Sequence, residues 1–200
     1  MRAWLRRPWA KPLIAAVLLW PLAYLLWGAA QDTLGPNPAE ALIRSSGEMA
    51  LRTLCITLAV TPLRILSGWP EWARFRRMVG LIAFTYALFH LLCYGWLDMG
   101  LDLTDMALDI AKRPFILVGM LTFVLLLALA ATSFHAAIKR LGARRWQVLH
   151  RVVYGAALLA LLHFYWMRSG KNNFGDVAVY GGIVAALLGW RLWRRWQDRV

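Results

Sequence analysis

The sequence predicts an all-α, polytopic membrane protein: a bundle of six transmembrane helices with both termini in the cytoplasm. Three observations lead there. Of the 200 residues, 60% are hydrophobic, more than the roughly 45–50% usual in soluble domains. The apolar residues gather in runs of about twenty, the length an α-helix needs to cross the hydrocarbon layer. The charged residues stand at the ends of those runs. A β-barrel would instead show short segments of alternating hydrophobicity, and none occurs. The connecting stretches leave no room for a sizeable soluble domain, so residues 1–200 read as a single transmembrane domain.

The first span covers about 13–27, behind Arg2, Arg6, Arg7 and Lys11. A basic start, an apolar middle and Gly28-Ala29-Ala30 also resemble a secretory signal. Trp20, Tyr24 and Trp27 within the run favour a retained anchor. Gly35-Pro36-Asn37-Pro38 is turn chemistry and leads into the second span, 47–66. That span carries Glu48 and Arg52, whose i, i+4 spacing lets the charges pair on one helix face. The third span, 78–97, contains His90. After it, Asp98 to Arg113 is acidic through Asp98, Asp102, Asp105 and Asp109, and is expected to form a short amphipathic helix at the surface. The fourth span, 115–133, is followed by a basic loop containing Gly142.

The fifth span, 146–168, carries both His150 and His163. A polar turn over 170–176 leads to the sixth, 177–193. There Gly181, Gly182, Ala185, Ala186 and Gly189 read as close-packing positions. The chain then alternates Trp190, Trp193 and Trp196 with Arg191, Arg194 and Arg195, the pattern of an interfacial anchor with a basic flank.

The net charge of +13 is a record of topology, not of a nucleic-acid partner. All but Arg44, Arg52, Lys112, Arg113, Arg168 and Lys171 of the 23 Lys and Arg residues fall on the side shared by the two termini. Positive charge marks the cytoplasmic side, so both termini are expected there. Cys55 and Cys93 fall inside apolar runs and read as small buried hydrophobes. No CxxC or Cys/His zinc spacing occurs, and no nucleophile–base arrangement marks a catalytic centre.

Histidine within a span is costly and points to function. At 1.5 Å per residue, His90 lies roughly 20 Å in from the cytoplasmic side and His163 roughly 25 Å. His150 lies about one turn in. Two imidazoles at matched depth on different spans are the ligand set of a low-spin b-type haem. His90 and His163 are thus candidate axial ligands of an outer haem, and His150 of an inner one. Thirteen residues before His90 stands Arg77 rather than a histidine. The inner site therefore has Met78 or His135 as a candidate second ligand, or is taken by a flavin. Thirteen residues turn an ideal helix by about 220°, so His150 and His163 do not share a face unless supercoiling or a bulge near Gly155 reconciles them. Arg52 has a second candidate partner in a haem propionate or a lipid phosphate. The plainer role for a membrane histidine is helix–helix hydrogen bonding.

Three stretches carry a resemblance: RRMVGLIAFTYALFHLLCY (76–94), KRPFILVGML (112–121) and LGARRWQVLHRVVYGAALLALLHFYW (141–166). With GPNPAEALIRSSGEMALRTLCITLAVTPLR before them, they resemble the haem-binding membrane subunits of bacterial periplasmic protein-methionine-sulfoxide reductase systems. This is the MsrQ family, formerly YedZ, among the ferric-reductase-like transmembrane proteins related to the membrane part of NADPH oxidases. The resemblance implies b-type haem, one or two, on His90, His150 and His163. It further implies quinone or reduced flavin as electron donor, association with FMN, and a periplasmic molybdopterin reductase as partner, where substrate turnover takes place. The chain departs from the wider group in lacking a second histidine on the third span and a GxGxxG fingerprint. Two other functions remain open on the residues alone: a stand-alone ferric or cupric reductase, and a proton or metal transporter working through its histidines.

Overall fold

A computed structural model describes residues 2–169 and 174–198. Every regular element among them is helical, and six helices are long and apolar enough to cross a membrane. The chain is an all-α, six-span membrane protein. It divides into two compact units, Met1–Lys112 and Arg113–Val200. Part of the polar turn expected before the sixth span, 170–173, lies outside the described residues.

In the first unit, α1 spans Ala10–Ala30, α2 Pro38–Ser67 and α3 Arg76–Cys93. The turn chemistry ahead of α2 does what it predicts: Asn37 Oδ1 accepts from the Glu40 backbone N–H at 3.1 Å, with Pro38 opening the helix. This satisfies one of the N–H groups that a helix start leaves bare. At the other end Gly68 takes φ +67°, the left-handed cap that a side chain would strain. Glu48 and Arg52 pair as their spacing predicts. The principal packing is α2 against α3, with Leu51, Leu54 and Leu58 of α2 and Val79, Ile82, Ala83 and Tyr86 of α3 all buried.

Two short 3-10 turns, Arg2–Arg6 and Pro70–Phe75, meet near the start of α1. Leu5, Ala10, Phe75 and Val79 form a buried cluster there. Beyond α3 the helix widens into a π-turn at Tyr94–Asp98. Gly100 and Leu101 then turn through positive φ, and α4 follows at Leu103–Lys112. This is the surface helix expected of the acidic stretch. Asp102 caps it, and the Tyr94 hydroxyl donates to Asp109 Oδ2 at 2.9 Å.

The second unit comprises α5 (Pro114–Ala131), α6 (His135–His150), α7 (Val153–Ser169) and α8 (Gly175–Gln197). Its principal packing is α5 against α7. Gly142 has φ 74° and ψ 154°, so α6 is kinked where the sequence places a glycine in the basic loop. The fifth apolar run is not one uninterrupted helix. It is divided at Arg151–Val152, where the Arg151, Val152 and Tyr154 N–H groups bond three residues back instead of four. The irregularity therefore precedes Gly155, which sits inside α7. On α8, a Cβ added to Gly181, Gly182 or Gly189 would meet nothing within 4 Å among the described residues. Within this unit they make no close packing contact, and Tyr180 and Val184 are the buried residues of that helix.

Candidate functional site

The first unit seats His90 against α2. Its Nδ1 lies 2.8 Å from the Ile43 carbonyl oxygen. A carbonyl only accepts, so Nδ1 carries a proton, and in the neutral ring the lone pair is then on Nε2. The ring reaches the carbonyl because the neighbouring residue is Gly47. A Cβ there would stand 2.9 Å from Nδ1 and 3.0 Å from Cε1, inside contact distance.

The second unit repeats the device. His163 on α7 places Nδ1 2.6 Å from the Phe115 carbonyl oxygen on α5. Here the glycine is Gly119, whose added Cβ would lie 2.8 Å from both Cε1 and Nδ1. Acceptor and histidine are 47 residues apart in the first unit and 48 in the second, with the glycine four residues after the acceptor each time. The Phe115 ring stacks on the imidazole, centroids 6.0 Å apart. An imidazole whose Nδ1–H is held by a carbonyl is in the tautomer and orientation of a metal ligand binding through Nε2. Both residues fit an axial-ligand role.

His150 is held differently. It ends α6, its ring stacks on Trp146 at a centroid distance of 3.9 Å, and its Nε2 lies 3.2 Å from Thr132 Oγ1. The Thr132 hydroxyl donates to the Ala128 carbonyl at 2.7 Å, so towards the histidine it accepts, and Nε2 carries the proton. Trp146 Nε1 donates to the Thr132 carbonyl at 2.9 Å, tying the indole to the same residue. The proton thus sits on opposite ring nitrogens in His150 and in the other two.

The remaining candidates are placed as follows. His135 is exposed at the first turn of α6. Met78 packs against the cluster of Leu5, Ala10, Phe75 and Val79. Cys55 and Cys93 are free and buried, as small hydrophobes would be. Among the described residues no group of three or more His, Cys, Asp or Glu side chains is arranged to hold a metal ion. Sequence reasoning missed Gly47, Gly119, Thr132 and Trp146. The only signal for the first two is the near-equal spacing of glycine and histidine in the two halves.

Fold and seats together define a polytopic membrane protein that presents imidazoles, protonated at Nδ1, from within its helix pairs. Residues 46–161 match the family model for the ferric reductase like transmembrane component; His163 lies just beyond the matched stretch.

Nearly the whole chain is similar to curated relatives called protein-methionine-sulfoxide reductase heme-binding subunit MsrQ. That of Polaromonas naphthalenivorans is 62% identical over 96% of this chain and 88% of its own length. That of Bordetella parapertussis is 50% identical over 94% and 91%, and that of Xanthomonas campestris pv. campestris 44% over 95% and 88%. The chain belongs to the MsrQ family of ferric-reductase-like transmembrane proteins and is a multi-pass bacterial membrane protein.

Proposed function

We propose that this protein is a b-type cytochrome subunit of the bacterial inner membrane, with both termini cytoplasmic and the whole chain acting as one ferric-reductase-like domain. It delivers electrons from the quinone pool, or from reduced flavin such as FMN, to a periplasmic molybdopterin reductase that repairs oxidised methionine in proteins. The observation that carries the reading is the paired seating of His90 and His163, each with Nδ1 on a helix carbonyl. The names of the relatives supply the haem and the methionine-sulfoxide reductase system.

Haem, when bound, supplies one-electron chemistry. The chain's own part is to ligate, bury and orient. His90 and His163 each offer Nε2 as an axial ligand, a reading supported by their depth within the spans of the sequence. His150 serves an inner site, with His135 or Met78 as the second ligand. To bind through Nε2 it must first give up Thr132. Reduction of the sulfoxide takes place on the partner.

The test is an absorption spectrum of the purified full-length protein, followed by reconstitution in vesicles with the reductase partner. Sharp Soret and α bands, lost in His90→Ala and in His163→Ala, are expected. Oxidation of the reduced protein is expected to require the partner and a sulfoxide. A colourless, correctly inserted protein would sink the cytochrome reading. Equally fast oxidation by a ferric chelate alone would replace the partner with free metal.

A further inference from the structure

In an α-helix the carbonyl of residue i is bonded by the N–H of residue i+4. A carbonyl oxygen has a second lone pair, but a helical side chain covers the turn on the N-terminal side of its own Cα. The residue at i+4 is thus placed to screen the carbonyl of residue i from a neighbouring helix. Both acceptors in this protein, Ile43 and Phe115, are followed at i+4 by glycine, Gly47 and Gly119. At both, the imidazole occupies the space a Cβ would fill, with added-Cβ distances of 2.9 and 2.8 Å to Nδ1.

Neither feature is general among the helical glycines. An added Cβ on Gly80 would make an ordinary 3.5 Å contact with Thr57, and one on Gly155 would meet nothing within 4 Å.

We propose that Gly47 with the Ile43 carbonyl, and Gly119 with the Phe115 carbonyl, are positioning seats that set the ring orientation and hold the Nδ1 proton of His90 and His163, and thereby tune the reduction potential of the haem that each histidine ligates. The inference rests on the reading that both histidines are axial ligands. A hydrogen bond from Nδ1–H to a carbonyl raises the basicity of Nε2. A more basic ligand favours ferric over ferrous iron. A methyl group at position 47 or 119 displaces the ring, lengthens or breaks that bond and moves the potential in the positive direction. Loss of such an outer-shell partner typically costs about 10- to 100-fold in metal affinity.

The experiment compares the full-length haem protein with Gly47→Ala and Gly119→Ala, using Gly80→Ala and Gly155→Ala as controls in the same two units. Redox titration, the g-values of the low-spin ferric signal and haem per polypeptide are read. The seats predict a more positive potential, shifted g-values and weaker haem retention for positions 47 and 119, with the controls unchanged. Unaltered potential and g-values in both seat variants would overturn the proposal.

Where a seat variant fails to accumulate in the membrane, His90→Gly and His163→Gly keep the glycine and open a cavity for added imidazole or 1-methylimidazole. Only imidazole has an N–H for the carbonyl. It should restore the original potential while 1-methylimidazole gives a more positive one, and equal potentials would overturn the seats. If His90→Ala and His163→Ala retain the spectrum and potential of the unaltered protein, the ligand reading fails and the seats fall with it. That outcome is distinct from one in which both histidines prove to be ligands and the glycines prove silent.

Discussion

The Tyr86 hydroxyl stands inside the hydrogen-bond ladder of α1, donating to the Leu18 carbonyl at 2.8 Å and accepting from the Leu22 N–H at 3.2 Å. The insertion lies beside Pro21, which has no N–H and bends a helix from within. Tyr86 is fully buried, so its hydroxyl must find partners in the protein, and the Leu18 carbonyl and Leu22 N–H of α1 are those partners. Tyr86→Phe would remove both of these bonds to the backbone of α1. The expected loss is about 1–3 kcal/mol, seen as a lower thermal midpoint in detergent. An unchanged midpoint would show that α1 closes the rung by itself.

How much of this was legible follows from which groups carry a side-chain signal. The spans were legible because apolar runs of about twenty residues have few other uses. The Glu48–Arg52 pair and helix α4 followed from spacing and patterning. The division of the fifth run was not legible, because neither Arg151 nor Val152 is a helix breaker and the turn is made by backbone bonds alone. The seats were hidden for a similar reason. The acceptors are carbonyls, which Ile43 and Phe115 share with every residue, and a lone glycine in an apolar helix usually signals packing. Histidine depth singled out these imidazoles as candidates; only coordinates show what holds them.

Helix α4 is fastened at its start by Asp102, whose Oδ1 accepts from the Thr104 and Asp105 N–H groups at 2.8 and 3.0 Å. It has no fully buried residue, so burial contributes little to hold it. Asp102→Ala should cost about 1 kcal/mol and speed amide exchange across Leu103–Lys112 without changing exchange in α2 or α3. Exchange that stays slow would locate the stability of α4 elsewhere, at the Tyr94–Asp109 bond.

At the opposite end of the first unit, Arg6 Nε donates to Glu71 Oε1 at 2.7 Å. The Glu71 side chain is 6% exposed and that of Arg6 70%. Arg6→Ala removes a cation from a buried carboxylate, while Arg7→Ala alters an exposed residue. Because the guanidinium is largely in solvent, the expected cost is about 1 kcal/mol, below the usual range for a bond to a charged group. Faster proteolysis of the N-terminal segment in Arg6→Ala but not in Arg7→Ala would report it. Equal rates in the two variants would mean that Arg74, which donates to the Leu5 carbonyl at 2.7 Å, holds this segment unaided.

Thr132 offers the sharpest test of the inner site. Its hydroxyl proton is taken by the Ala128 carbonyl, so it accepts from Nε2 of His150, the nitrogen through which a haem ligand would bind. On the proposed ligand role of His150, Thr132 would compete with iron for that nitrogen. Thr132→Val keeps the shape and removes the acceptor. A neutral hydrogen bond contributes about 0.5–1.5 kcal/mol net, so its loss should raise haem affinity at the His150 site by roughly two- to tenfold. The His163-dependent bands should stay as they were, and Thr132→Ser should behave as the unaltered protein. Haem titration of Thr132→Val and Thr132→Ser, each with and without His150→Ala, separates the contributions. Weaker binding in Thr132→Val would show that the hydroxyl supports His150 as a ligand, and the competition argument would then be wrong.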